Sequence, residues 1–153
     1  MDPDFSIEQV DVNGDVRETA HDAMDALESQ GKIEEAEAYV TLTLELADLD
    51  DVNSQVLARI VRAKLDARQG RADTAIAAAT DALMLADTTA DIDFQGDVHG
   101  DFGLVLTRLG RMAEARSQYE MALACYERKG DLTSAASIGR LLESMPRTPE
   151  AAR

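Results

Sequence analysis

Apolar residues return every three or four positions through most of the chain, and short polar breaks interrupt them at regular intervals. Ala20, Ala23, Met24 and Leu27 share one face of a helix predicted over 16–30. Ile33, Ala36, Val40 and Leu44 do the same over 33–47. Val56, Ile60, Ala63 and Ala67 mark a third helix over 52–69, and Ala75, Ala79, Ala82 and Leu83 a fourth over 72–86. A fifth, over 92–109, carries Phe102, Gly103, Val105 and Leu106. Gly96 and Gly100 lie inside it and are weak helix residues, so its first turns are expected to fray or bend. A sixth runs over 112–129 with Ala115, Tyr119 and Ala122 aligned, and Asp131 caps a last helix over 132–145. Residues 1–15 show no sustained period, and Pro146 opens a polar tail over 146–153.

The breaks are of two kinds. Gly31, Gly70 and Gly110 stand alone between paired helices, at spacings of 39 and 40 residues. Each suits the left-handed cap that ends a helix. Each is followed five residues later by an alanine, at Ala36, Ala75 and Ala115, and the segments GKIEEAEA, GRADTAIA and GRMAEARS align without gaps. Longer breaks, ADLDDVNS and ADTTADID, separate one pair from the next. Their Asp and Asn residues compete for the backbone and favour caps. Helical hairpins at a near-constant period indicate a repeat.

The clearest unit is Gly103–Asp131, GLVLTRLGRMAEARSQYEMALACYERKGD. Small residues at Gly103, Ala115 and Ala122 let two antiparallel helices approach closely, and Tyr119 fills the wedge between them. This unit resembles a tetratricopeptide repeat, whose helix–turn–helix carries a Gly, an Ala, an aromatic and a second Ala in that order. The period exceeds the usual value of about 34 because the polar breaks are longer. The resemblance implies an all-α, tetratricopeptide-like superhelical array. It would hold about three hairpins, over 16–48, 52–87 and 92–129, and a capping helix over 132–145.

A longer likeness covers residues 16–145. DDVNSQVLARIVRAKLDARQGR, LADTTADIDFQGDVHGDFGLVLTRLGRMAEA and ALACYERKGDLTSAASIGRLLE, in that order, are similar to the C-terminal repeat region of bacterial signalling proteins. In those, a class III adenylate/guanylate cyclase or a DNA-binding regulator domain is joined to an AAA/STAND-type ATPase. The likeness implies a non-catalytic interaction or regulatory module serving a protein or peptide partner or a neighbouring domain. A sensor module or C-terminal fragment of such a parent, and a self-associating structural module, are the other readings it leaves open. No G-x-x-x-x-G-K-[ST] phosphate loop occurs in the sequence, and no part of it resembles a cyclase domain.

Composition narrows the partners. A chain of 153 residues is one domain by size and buries roughly 68–70% of its unfolded surface. It is 45% hydrophobic but only 4% aromatic, which favours Ala- and Leu-rich helix packing over a sandwich or barrel. The net charge of −15 repels phosphate backbones and anionic membranes, so neither nucleic acid nor membrane is an expected partner. Cys125 is the single cysteine, which excludes an internal disulfide and fits a packed thiol in a reducing compartment. The N-terminus, MDPDFSIEQV, does not read as a signal peptide, and no apolar run approaches the ~18 residues of a membrane span. The cytoplasm is the expected location.

Candidate chemistry is sparse. Asp11, Asn13, Asp15 and Asp22 have the spacing of a calcium loop, but Val16 stands where the loop needs glycine and Glu18 where it is apolar. Helix capping by Asn13 or Asp15 is the preferred reading, and no metal or cofactor is expected. His21 and His99 lack a nucleophile or ligand set at a telling spacing and read as surface or hairpin-packing residues. No catalytic residue is assigned. In tetratricopeptide repeats the first helix of each hairpin lines the concave groove. The resemblance therefore implies a partner groove of His21, Asp25 and Glu28, then Ile60, Lys64 and Arg68, then Asp97, Leu104, Thr107 and Arg108. Lys64, Arg68 and Arg108 would clamp a carboxylate or acidic peptide, or would instead pair with Asp66, Asp101 or Glu114, the preferred alternative.

Overall fold

The computed structural model describes residues 29–46 and 51–147. Among them every regular element is a helix: α1 (Ile33–Leu46), α2 (Val52–Arg68), α3 (Ala72–Ala86), α4 (Ile92–Arg108), α5 (Met112–Lys129) and α6 (Leu132–Ser144). The chain is therefore all-α over these residues, and the helix ends fall within a residue of the periodic segments. The lead-in, the helix expected over 16–30 and the calcium-like segment with His21, Asp25 and Glu28 lie outside the described residues, apart from the end of that helix at Ser29 and Gln30.

Helix ends follow local chemistry. Asp51, Asp91 and Asp131 accept the backbone N–H of Ser54, Phe94 and Ser134 at 3.2, 3.1 and 3.1 Å, satisfying donors that a helix start leaves open. These caps recur every 40 residues, so α2, α4 and α6 begin in register. At the other ends, Gly70 and Gly110 take φ of 74° and 76°, which a Cβ would penalise. Arg71 N–H then reaches Asp66 O at 2.8 Å and Arg111 N–H reaches Leu106 O at 2.9 Å, closing the same paired-bond cap twice.

Each helix packs on the next, and α2 also packs on α4. The buried face of α3, Ala75, Ala79, Ala82 and Ala86, reappears 40 residues later in α5 as Ala115, Tyr119, Ala122 and Tyr126. Two alanines have become tyrosines, and the facing helix compensates. Val56 and Ala63 of α2 correspond to Gly96 and Gly103 of α4. A Cβ at Gly103 would lie 2.5 Å from Tyr119 Cε1, and one at Gly96 would lie 2.9 Å from Tyr126 Cε1. The rings reach into the space that the glycines leave, so the glycines offset part of the volume that the rings add.

This corrects the expectation that Gly96 and Gly100 loosen the start of α4. The helix is continuous from Ile92, held by the Asp91 cap and by the Tyr126 ring lying against Gly96. The main core gathers Ala63, Ala75, Ala79, Phe102, Val105, Leu106, Ala115 and Tyr119, and Leu142 of α6 and Met145 just past its end join it. Arg116 of α5 secures α6 by donating to the Leu142 carbonyl at 3.2 Å.

Candidate functional site

Where α6 crosses the last hairpin, an open groove of about 400 Å³ remains between α4, α5 and α6. Its wall from α4 is Asp97, Gly100, Asp101 and Leu104; Tyr119 and Tyr126 of α5 form the floor; Ile138 and Leu141 of α6 form the far side. Gly100 contributes to the opening, since the nearest atom to a Cβ there is Ile138 Cδ1 at 3.9 Å. The volume falls in the usual range for ligand clefts, and mixed apolar and polar lining is typical of them.

The polar groups are ordered by one another. The Tyr126 hydroxyl donates to Asp97 Oδ1 at 2.5 Å. Burial, and then the bond to Asp97 and the surrounding carboxylates, push the Tyr126 phenol far above its usual range, so it stays a donor. Burial raises the Asp97 carboxyl; the Tyr126 bond opposes this, while Asp101, Asp93 and Asp131 add to it. Asp101 receives Lys64 Nζ from α2 at 3.1 Å. The Thr107 hydroxyl donates to the Gly103 carbonyl at 2.9 Å, which leaves the Tyr119 hydroxyl to donate to Thr107 Oγ1 at 3.3 Å. Burial raises the Tyr119 phenol as well.

Of the residues the groove reading names, Asp97 and Leu104 line this cleft. Thr107 is half-buried at its edge, engaged with Tyr119. Ile60 is fully buried beside Val56, Ala82, Ala86 and Val98, and is a core residue. Lys64 is 4% exposed and committed to Asp101, the pairing given above as the alternative to a clamp. It supports the acidic wall from behind and presents no open cationic surface. Arg68 and Arg108 are exposed and sit outside the cleft lining.

Sequence reading missed Asp101, Tyr126, Ile138 and Leu141 as groove residues. Tyr126 follows Tyr119 by seven positions, and the 40-residue register was the signal for it. Ile138 and Leu141 enter only because of how α6 packs on α5, which periodicity within α6 does not encode.

His99 is 7% exposed and its Nδ1 meets Gln118 Oε1 at 2.8 Å, so it joins α4 to α5 as a packing histidine. Burial raises the Cys125 thiol, which disfavours a reactive thiolate. No three His, Cys, Asp or Glu side chains among the described residues converge on a metal-sized point, and no described helix is long and apolar enough to cross a membrane. Comparison with family models, with characterised proteins and with solved structures returned no match.

Proposed function

We propose that the chain is a tetratricopeptide-like helical array acting as a non-catalytic scaffold for a protein or peptide partner. The observation that carries this reading is the groove between α4, α5 and α6, built on a 40-residue repeat of caps and buried positions. Supporting the array reading, successive hairpins touch through their first helices, as α2 does α4, and through the second helix of one and the first of the next, as α3 does α4. Supporting the scaffold reading, the histidine and thiol of the described region are used in packing, and the cleft between α4, α5 and α6 is lined by groups suited to holding a segment of chain. A role as a module of a bacterial cyclase- or ATPase-type signalling protein in the cytoplasm rests on the sequence likeness alone.

Peptide-display selection against the full chain, paired with light scattering over a concentration series, tests the proposal. The expected result is a constant monomer mass, and enriched peptides that raise the melting temperature. A mass that climbs with concentration, with no enriched peptide, would replace it with the self-associating structural module.

A further inference from the structure

Three carboxylates, Asp93, Asp97 and Asp101, stand at successive four-residue steps on one face of α4. Like charges at this spacing repel and weaken a helix. Lys64 answers Asp101. Asp97 is met by a neutral donor, the Tyr126 hydroxyl, and the charges acting on it are those of Asp101, Asp93 and Asp131. Asp93 keeps a buried Oδ1 with no hydrogen-bond partner. The groove beside this ladder is apolar on its other side, where Leu141 remains 38% exposed.

We propose that the groove between α4, α5 and α6 receives a lysine or arginine side chain from a partner peptide, its cation against Asp97 and an apolar neighbour on Leu104, Ile138 and Leu141. The inference rests on the partner-binding reading above and names the chemistry of that partner. Charge complementarity selects it. An acidic peptide would meet Asp97 and Asp101 head-on, and a second copy of the chain is itself strongly anionic, with a net charge of −15. A cation entering here relieves the repulsion along the ladder of Asp93, Asp97 and Asp101. The open cleft, acidic on one side and apolar on the other, fits a length of chain carrying alternating side chains.

The test uses the full chain and a labelled short peptide alternating leucine with arginine, read by fluorescence anisotropy at physiological ionic strength. Its counterpart has glutamate for arginine. The arginine peptide is expected to bind, and the glutamate peptide is not. Asp97→Asn, which preserves an acceptor for Tyr126, weakens binding about tenfold, the weight of one charge-assisted hydrogen bond. Leu141→Ser weakens it as well. Asp81→Asn removes the same charge from an exposed position on α3 and leaves binding unchanged. Equal losses from Asp81→Asn and Asp97→Asn would reduce the effect to bulk attraction and overturn the proposal. Binding of the glutamate peptide would overturn it too, while leaving partner binding intact. Binding of neither peptide removes the cationic assignment, and the scaffold reading then stands or falls on its own selection experiment.

Discussion

Gly103→Ala should destabilise the protein although alanine is the better helix residue. On propensity alone the change gains roughly 0.5–1 kcal/mol. The new Cβ, however, would stand 2.5, 2.7 and 2.9 Å from Cε1, Cδ1 and Cζ of Tyr119, where carbon atoms prefer about 3.5–4.0 Å. These are mid-ring atoms of a side chain only 4% exposed, whose hydroxyl is held by Thr107. The ring cannot yield without breaking that bond or moving α5. Overpacking of this kind costs about 1–3 kcal/mol, so the net loss runs from about zero to roughly 2.5 kcal/mol. At about 2–4 °C per kcal/mol for a chain of this size, the melting temperature falls by up to roughly 10 °C. Gly100→Ala is the internal control. It lies on the same helix with its nearest contact an ordinary 3.9 Å, so it should raise the melting temperature. The double variant Gly103→Ala, Tyr119→Ala reproduces the Ala63 and Ala79 combination of the preceding hairpin. In the Tyr119→Ala background, Gly103→Ala should turn favourable. Thermal melts by far-UV circular dichroism across the cycle measure the coupling. An increase in stability from Gly103→Ala in the otherwise unchanged chain would refute the ring-on-glycine packing.

Asp97→Asn should raise the melting temperature by roughly 1–4 °C at neutral pH, from two like-charge pairs of about 0.2–0.5 kcal/mol each. Because the folded Asp97 pKa is raised, its ionised form opposes folding at neutral pH, and that penalty disappears as the pH falls through the raised value. The advantage of the asparagine variant should therefore shrink on acidification, with Asp93, Asp101, Asp131 and Tyr126 otherwise unchanged; an advantage independent of pH would contradict the assignment. Lys64→Met leaves Asp101 without the cation at 3.1 Å and should lower stability in urea melts, whereas adding Asp101→Asn should recover most of the loss. Gly110→Ala meets no atom within 4 Å, so its whole effect is the backbone strain of φ 76°; a loss of about 1–2 kcal/mol in the same assay is expected. Leu142→Ala removes the anchor of α6 in the main core and should cost about 2–4 kcal/mol by chemical denaturation.

The helices, their Gly-marked turns and their register were all legible in the sequence. Each depends on contacts within a few residues: an Asp side chain on the N–H three positions ahead, a glycine accepting positive φ, an apolar residue returning every three or four places. Tyr119 as the wedge against Gly103 was also legible, because a large residue facing a missing side chain is a local match of volume. The site was only partly so. Periodicity places Ile60, Lys64, Asp97 and Leu104 on α2 and α4, but it does not say which neighbouring helix covers each of them. Packing of α4 against α2 took Lys64 out of solvent and bound it to Asp101, and packing of α3 and α4 enclosed Ile60. The path of α6 then brought Ile138 and Leu141 opposite Asp97. Burial and electrostatic environment are properties of three or more elements meeting at once. For that reason the sequence by itself determined the elements and their repeat and offered several acids as partners for Lys64, while tertiary structure alone decided that Asp101 takes it and that the cleft beside them is acidic and tyrosine-floored.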